Sequence, residues 1–189
     1  MTVLVNNLLD MARLESGAAT LARQWSSLEE LVGSVLNRLK ATLAGHPVQV
    51  KLQPDLPLVS VDPVLIEQVL ANLLENAAKY TPADTPIDID AHARPDGIVV
   101  EVADRGPGFP AGDESRLFDK FYRVKTEAAQ SGVGLGLPIC KAIIVAHGGT
   151  ITASNRTGGG ALFRFVLPAG TPPAVESEGT PLPTAHAAP

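Results

Sequence analysis

The segment Asn72-Leu-Leu-Glu-Asn-Ala-Ala-Lys-Tyr80 places polar side chains on an otherwise apolar helix. Upstream of it, Asp62 has the position of an N-cap and Pro63 that of the first helical residue. Helical spacing then predicts a buried face made of Leu65, Ile66, Val69, Leu70, Leu73 and Ala77. A second stripe, at intervals of three and four residues, is polar and consists of Gln68, Asn72, Asn76 and Lys79. One face of this helix therefore packs on a core, and another faces something polar.

The polar stripe suits a hydrated magnesium ion beside a polyphosphate. Mg²⁺ prefers oxygen ligands, often through water, and the carboxamides of Asn72 and Asn76 supply them, while Lys79 supplies a compact positive charge. The ordinary alternative is a solvated face, because polar stripes are common on surface helices. The remaining motifs of the chain favour the first interpretation.

Composition limits the classes of protein to which the chain can belong. With 189 residues, 45% of them hydrophobic, it can form one domain with short attachments. A net charge of −5 argues against a nucleic-acid partner. The single cysteine, Cys140, excludes a disulfide framework or a thiolate cluster within the chain and fits a reducing compartment. No apolar run reaches the roughly 18 to 20 residues of a membrane span, so we expect a cytoplasmic domain without direct membrane contact.

The N-terminal third is predicted to be mostly helical. Residues 2–16 have the pattern of an amphipathic helix that stops at Gly17, and so short a helix needs packing partners. It is either the end of a helical bundle or a helix folded back onto the domain. An irregular bridge through Trp25 follows, and a Ser-x-x-Glu capping box then opens a helix that reaches about residue 44. We expect residues 1–17 and the linker 18–25 to precede a domain over 26–168.

The rest of the chain alternates between strands and helices. Strands are predicted at 48–52, 58–61, 87–93, 98–102, 150–154 and 161–167, and a second long helix at 134–147. Residues 104–132 form a long irregular segment, which is usually functional in a compact domain. The tail 169–189 cannot bury a core and is expected to be disordered. This order predicts an α+β fold: a mixed, largely antiparallel sheet with helices on one face.

Two glycine-rich motifs carry chemistry. Asp104-Arg-Gly-Pro-Gly108 places a carboxylate at a strand end, where it can accept a hydrogen bond from an exocyclic amine such as that of adenine. Gly132-Val-Gly-Leu-Gly136 opens a helix, whose free N–H groups and dipole favour phosphate. A third motif, 158–160, can be a plain hairpin loop. Each motif alone is weak evidence, and for residues 104–108 and 158–160 a plain turn or hairpin loop is the better explanation when each is taken alone.

Together and in this order, the motifs resemble the ATP-binding domain of sensor histidine kinases, in the wider Bergerat-fold family that includes gyrase and Hsp90 chaperones. Residues 72–80 look like the N box, 104–108 like the G1 box, 118–122 like the F box, 132–137 like the G2 box and 158–161 like the final glycine motif. The resemblance covers about 26–168. Residues 7–17 look like the end of the second helix of a dimerisation and histidine-phosphotransfer domain, and the chain is most similar to the potassium-responsive KdpD kinases.

The resemblance implies a two-layer sandwich that binds ATP and Mg²⁺. Asn76 would ligate Mg²⁺ with Asn72 assisting, Lys79 would approach the phosphates and Tyr80 the nucleotide. Asp104 would bind the adenine amine, while two glycines would let the backbone approach the ring: Gly106 and Gly108. Further contacts are implied for a mobile lid, its charged rim and its glycine hinge: Phe118, Lys120, Phe121, Arg123, Gly132, Val133, Gly134, Leu135, Gly136 and Leu137. For the two phenylalanines, core packing is the alternative.

One departure from the gyrase and Hsp90 branch bears on the reaction. That branch has a water-activating Glu where this chain has Asn72. Because an amide is no general base, hydrolysis is expected to be slow and transfer to a protein acceptor favoured. The chain is therefore interpreted as a protein-histidine kinase module whose catalytic residues are Asn72, Asn76 and Lys79.

The acceptor is the second departure. None of His46, His92, His147 and His186 has an acceptor sequence, so the acceptor is expected on a helical domain absent from this chain, which should not autophosphorylate alone. By resemblance the parent is a membrane-attached homodimer that passes phosphate to a response regulator of the KdpE type. The alternatives are an anti-sigma-factor-type serine kinase and a non-enzymatic ATP-sensing module.

Overall fold

The computed structural model describes Met11, Ala12, Leu14 and residues 20–124 and 133–170. Its helices are α1 (Leu28–Arg38), α2 (Pro63–Tyr80) and α3 (Gly136–Ala146), with a short 3₁₀ helix at Arg116–Phe118. The strands are β1 (Gln24–Ser26), β2 (Val48–Leu52), β3 (Val59–Val61), β4 (Ile87–Arg94), β5 (Gly97–Ala103), β6 (Thr150–Asn155) and β7 (Ala161–Pro168).

Five strands form one mixed sheet in the order β2-β4-β5-β7-β6. β2 and β4 are parallel, and every other neighbouring pair is antiparallel. Side chains alternate between the two faces of a strand, so Ile89, Val102 and Phe163 lie in register on the face that packs on the helices. This confirms the predicted α+β architecture of a largely antiparallel sheet with helices on one face.

α2 begins as the sequence predicts. The Asp62 side chain accepts a hydrogen bond from the Leu65 N–H at 3.4 Å, and Pro63 is the first helical residue. Most of the predicted apolar stripe is fully buried, and Leu65 packs against the core at its edge. Burying one such leucine or isoleucine side chain contributes about 1.5–3 kcal/mol, so this stripe fixes the orientation of α2. Its polar stripe is then held on the side towards α3.

Three local predictions were wrong. Trp25 lies in β1, which pairs with β3, rather than in an irregular bridge, because the pairing partner is distant in sequence. The N-cap Ser27 makes no side-chain capping bond, so no capping box forms. α1 ends at Arg38 because Leu39 leaves the helical region at φ −91°, ψ 9°, and turns replace the expected last helical residues.

The chain ends lie largely outside the described residues. Of the predicted N-terminal helix, Met11 is 2% exposed and belongs to the hydrophobic core, and Leu14 packs against that core. The predicted stop at Gly17 and the tail beyond residue 170 are not among the described residues, and the domain boundaries stay predictions. Across the part of the chain that is described, no helix has both the length and the apolar character needed to cross a membrane.

Candidate nucleotide-binding site

A cavity of about 480 Å³ lies among α2, the start of α3, the loop after β5 and the start of β7. Its volume is in the range of small-molecule sites. Most of the residues that the sequence predicted for the site line it: Asn72, Asn76, Lys79, Tyr80, Asp104, Gly108, Arg123, Val133, Gly134, Leu135, Gly136 and Leu137. The fold therefore brings the N, G1 and G2 motifs to one place.

Asp104 lines the part of the cavity that we call the base end, after the adenine contact that the resemblance implies there, and is only 5% exposed. Its Oδ1 accepts hydrogen bonds from the backbone N–H groups of Gly106 at 2.8 Å and Ala161 at 3.1 Å. The Asp104 N–H in turn donates to the Ala161 carbonyl at 2.9 Å. Within the described residues these side-chain bonds engage Oδ1 alone, so Oδ2 is the oxygen left to accept a bond from a ligand.

The two glycines of this loop are required by the protein itself. A Cβ on Gly106 would lie 2.6 Å from the Tyr80 carbonyl oxygen, and Gly106 does not line the cavity. Gly108 has φ +71°, and a Cβ there would lie 2.4 Å from Asn155 Oδ1. Close packing of the loop against the end of α2 and the end of β6 thus accounts for both glycines, and the approach of a base ring that the resemblance implies stays a prediction.

The polar stripe of α2 faces the cavity rather than open solvent. Asn72, Asn76 and Lys79 line it, and the Lys79 ammonium lies 4.8 Å from the centroid of the Tyr80 ring. Asn72 Nδ2 also donates to the Gly136 carbonyl at 3.5 Å, a long bond that links α2 to α3. Gln68, the fourth member of the stripe, does not line the cavity.

The donor set of this stripe fits Mg²⁺. Within the described residues no three His, Cys, Asp or Glu side chains gather as a metal cluster. Mg²⁺ is usually held by one or two protein oxygens together with water and substrate phosphates, rather than by a protein cage. The carboxamide oxygens of Asn76 and Asn72 are suited to that mode of binding.

The start of α3 lines the part of the cavity that we call the phosphate end, after the phosphate contacts that the resemblance implies there. The N-cap of α3, Leu135, provides no side-chain capping bond, and among the described residues no side chain accepts a hydrogen bond from the first amides of α3. The predicted helical start at Gly134 was wrong by two residues because Gly134 has φ +73°, which an α-helix does not accommodate. The Phe121 N–H donates to the Gly134 carbonyl at 3.0 Å. Gly132 lies outside the described residues.

Three predicted F-box residues do not line this cavity: Phe118, Lys120 and Phe121. Phe118 is buried in the core, as the packing alternative proposed, because the 3₁₀ helix turns it inwards. Phe121 is 58% exposed and has a left-handed φ of 64°. Phe118 and Lys120 line a separate groove beside α3.

Sequence reasoning missed the mostly apolar walls of the cavity: Phe109, Leu117, Tyr122, Val124, Pro138, Ala161 and Phe163. For the last two, the alternation of β7 was an available signal, because it places them on the helix-covered face. Two side chains contact Tyr122. Its hydroxyl donates to Asp113 Oδ2, and the Arg116 guanidinium lies 4.6 Å from its ring centroid. Arg116 also pairs with Asp113 at 3.1 Å.

Two titratable groups link α2 and α3 away from the ligand-facing surface. Burial raises the pKa of Cys140 to about 12, and its thiol lies 3.8 Å from the Val69 carbonyl, so it is an inert packing group. His147 Nε2 accepts the Asp62 N–H at 3.0 Å, and Nδ1 lies 2.8 Å from the Ile143 carbonyl. Burial lowers the pKa of His147 below its usual value.

Known proteins are similar to this chain in sequence. Residues 61–171 match the family described as histidine kinase-, DNA gyrase B-, and HSP90-like ATPase. The sensor protein KdpD of Escherichia coli K12 is 53% identical over 175 residues, which are 93% of this chain and 20% of that protein. The sensor histidine kinase WalK of Bacillus subtilis is 34% identical over 170 residues, 87% of this chain and 28% of that one. The chain thus spans between a fifth and a third of these two relatives.

Solved structures agree with the sequence relatives. Full-length ShkA in complex with AMPPNP superposes with a TM-score of 0.76 at 31% identity, covering 90% of this chain and 36% of that one. The catalytic domain of histidine kinase ThkA gives 0.68 at 29% identity, covering 77% of this chain and 95% of that one. The chain therefore belongs to the family of histidine kinase-, DNA gyrase B- and HSP90-like ATPases, as the ATP-binding catalytic domain of a two-component sensor histidine kinase.

Proposed function

We propose that this domain binds Mg·ATP in the described cavity and transfers the γ-phosphate to a histidine on a separate helical domain. The observation that carries the proposal is the chemical difference between the two ends of the cavity: one presents a hydrogen-bond acceptor and the other presents N–H donors. Asp104 presents an acceptor at the base end, the start of α3 without a side-chain cap lies beside Asn72 at the phosphate end, and Asn76 and Lys79 line the cavity along α2. An adenine amine needs an acceptor, and a polyphosphate needs cations and N–H donors.

Each group then has a defined task. Asp104 Oδ2 accepts the bond from the adenine amine, while Oδ1 remains bound to Gly106 and Ala161. Lys79 neutralises phosphate charge, and the first amides of α3 donate to phosphate oxygens. The carboxamides of Asn76 and Asn72 would hold Mg²⁺, which neutralises charge that develops on the transferred phosphoryl group.

The cavity offers no general base from α2 to activate water. Asn72 stands where a carboxylate would be needed, and its amide nitrogen donates to the Gly136 carbonyl. Glu75, the nearest carboxylate in sequence, is exposed and does not line the cavity. Slow hydrolysis and transfer to a protein side chain follow from this arrangement.

The acceptor comes from outside the described residues of this chain. His147 is 1% exposed and hydrogen-bonded through both ring nitrogens, and neither His46 nor His92 lines the cavity. The acceptor partner is a histidine-bearing helical dimerisation domain, and the downstream partner is a response-regulator aspartate. The parent is a homodimer attached to a membrane by parts other than this domain.

Calorimetry with AMPPNP, in the presence and absence of Mg²⁺, tests the nucleotide site. Asp104→Asn keeps an oxygen for Gly106 and Ala161 but replaces the ligand-facing acceptor by a donor, so affinity should fall about 10- to 150-fold. Asp90→Asn, on the outer face of β4, is the matched control and should bind as wild type does. Equal affinities of Asp104→Asn and wild type would remove Asp104 from the site.

Transfer is tested by mixing the chain, labelled ATP and a separately produced helical acceptor domain. An acid-labile label on the acceptor histidine is the expected result. An acid-stable label would indicate a serine kinase instead. Binding of ATP without any transfer, combined with ATP-dependent affinity for the acceptor domain, would favour a non-enzymatic sensing module.

A further inference from the structure

The β6–β7 hairpin holds the loop of the base end from outside the cavity. We propose that Asn155, the last residue of β6, is a positioning residue for nucleotide binding that fixes the cavity wall formed by Gly108 and Phe109. The inference rests on the nucleotide site proposed above and concerns a residue that contacts no ligand itself.

The Asn155 side chain engages both backbone polar groups of one residue. The Phe109 N–H donates to Asn155 Oδ1 at 2.9 Å, and Asn155 Nδ2 donates to the Phe109 carbonyl at 2.7 Å. A single carboxamide thus serves as a β-strand partner for a loop residue 46 positions away. Two opposed bonds fix the rotation as well as the position of the Phe109 backbone.

Asn155 is supported by the β6–β7 ladder, and its fit to the loop is close. Asn155 pairs with Ala161 at the end of the β6–β7 ladder. Gly108 approaches it so closely that a Cβ on Gly108 would lie 2.4 Å from Asn155 Oδ1. The position of the left-handed Gly108 therefore depends on the position of the Asn155 carboxamide. Gly108 in turn lines the cavity.

The neighbouring residue of the hairpin holds the other end of the same loop. Arg156 Nη1 donates to the Asp104 carbonyl at 3.0 Å and lies 3.3 Å from Asp88 Oδ2. Arg105 approaches the same Asp88 oxygen at 3.1 Å. Arg156 therefore holds the backbone of Asp104, the residue proposed to bind the base. Asn155 holds the backbone of Phe109, at the far end of the loop.

Exposure indicates that Asn155 serves binding more than folding. Both of its bonds to Phe109 are exposed to solvent, and water can replace them in part when they are lost. The loop that they order is a wall of the cavity, so an unrestrained loop must be ordered again whenever nucleotide binds. Removal of Asn155 should consequently weaken nucleotide binding much more than it lowers the melting temperature.

The test compares Asn155→Ala and Asn155→Asp with Gln53→Ala. Gln53 is a matched control: its exposed carboxamide accepts the Ala93 N–H at 3.0 Å and lines no part of the cavity. AMPPNP affinities are measured calorimetrically at 15 °C, where circular dichroism verifies that each variant is folded. We expect Asn155→Ala to bind about 5- to 30-fold more weakly and Gln53→Ala to bind like wild type. Asn155→Asp keeps the acceptor but opposes two oxygens at Phe109, so it should bind at least as weakly as Asn155→Ala.

Two further readouts separate positioning from a general structural role. Hydrogen exchange at the Phe109 amide should quicken in Asn155→Ala and slow again when AMPPNP is bound. The preference for AMPPNP over its analogue lacking the 6-amino group should stay as in wild type, because Asp104 keeps its own bonds to Gly106 and Ala161. Wild-type affinity in a folded Asn155→Ala variant would overturn the inference and leave the nucleotide site standing. Failure of wild type to bind AMPPNP would instead refute the nucleotide site.

Discussion

The two ends of the cavity are built differently. At the base end, Asp104 is bound to Gly106 and Ala161, and the β6–β7 hairpin holds both Asp104 and Phe109. At the phosphate end, Gly134 accepts one backbone bond from Phe121, and Gly136 accepts the 3.5 Å bond from Asn72. The base end is thus held by several bonds within the protein, whereas the bonds found between the phosphate end and other parts of the chain, among the described residues, are these two.

The glycines reflect the same difference. A Cβ on Gly160, beside the base end, would lie 2.1 Å from the Asp104 carbonyl oxygen, and its φ is +100°. A Cβ on Gly136, at the phosphate end, would meet nothing closer than Asn72 Cγ at 3.9 Å. Glycine is therefore required by protein packing at one end but not at this position of the other.

The largest effect is expected from Gly160→Ala. The new methyl group must displace the Asp104 backbone and also holds a residue in a strained conformation, which together cost roughly 2–5 kcal/mol of unfolding free energy. Urea denaturation measures this loss. Gly158→Ala is the control, because Gly158 has φ +94° but open space around it, so only conformational strain applies. Equal losses in the two variants would contradict the steric account of the base end.

A change of base preference is the next largest effect. Asp104→Asn should leave the loop bound to Gly106 and Ala161 while turning the ligand-facing acceptor into a donor. The preference for an adenine nucleotide over its 6-oxo counterpart, inosine triphosphate, should therefore fall by about one to two decades. Competition binding measures the ratio. If both nucleotides lose affinity equally, the change reports a disturbed loop instead of altered base recognition.

A moderate effect is expected beside the phosphate end from Tyr122→Phe. The variant loses the hydroxyl bond to Asp113 but keeps the ring against which Arg116 lies. The expected loss is about 0.5–1.5 kcal/mol of unfolding free energy. Chemical denaturation of Tyr122→Phe, Asp113→Asn and the double variant tests it, because the two single losses should not add. Additive losses would show that the two side chains act independently.

The sequence predicted those features that depend on local periodicity. The N-cap Asp62, the buried stripe of α2 and the alternation in β4 and β7 follow directly from side-chain spacing. The grouping of Asn76, Asp104 and Gly134 was expected from the resemblance, and the structure brings all three to one cavity. These motifs are short and continuous in sequence, so each can be identified from residues that are adjacent in the chain.

Features that depend on distant partners could not be predicted. β1 forms because β3 lies beside it, and nothing near Trp25 specifies that pairing. Asn155 follows a strand like many surface residues, and only the folded chain shows that it binds Phe109. Phe118 and Phe121 belong to one motif, yet Phe118 lies buried in the 3₁₀ helix, whereas Phe121 has a left-handed φ and is exposed. Long-range contacts and single dihedral angles decide these cases.

The free energy of unfolding should depend on pH through His147, which links the start of α2 to the end of α3. The Asp62 N–H can only donate, so Nε2 of His147 is an acceptor and the neutral ring carries its proton on Nδ1, towards Ile143. Burial lowers the pKa of His147, nearby Arg23 lowers it further, and the Ile143 bond and Asp62 oppose this. An unfolded histidine has a pKa of about 6.5. Below that pH the unfolded state binds more protons, and the free energy of unfolding decreases as pH falls towards the folded-state pKa.

Melting temperatures at pH 7.5 and 5.5 measure this effect. Wild type should lose more stability on acidification than His147→Gln, although the variant starts from a lower value at pH 7.5. His92→Gln, which changes a partly buried histidine on the sheet, is the control and should keep the wild-type acid dependence. Identical acid dependence in all three proteins would exclude His147 as the titrating group.

The smallest effect is expected from Gly136→Ala, the counterpart of Gly160→Ala at the other end of the cavity. Gly136 is the first residue of α3, and the added methyl group meets nothing within ordinary contact distance except Asn72 at 3.9 Å. Alanine reduces the freedom of the unfolded chain, so stability should stay the same or rise by up to about 1 kcal/mol. The amide of residue 136 remains in place, and we expect AMPPNP affinity to change less than about threefold, within half of one decade. A large loss of affinity with unchanged stability would mean that bound phosphate comes closer to Gly136 than the packing of the protein requires. Glycine would then be needed at this end for the ligand, as it is needed at the base end for the fold.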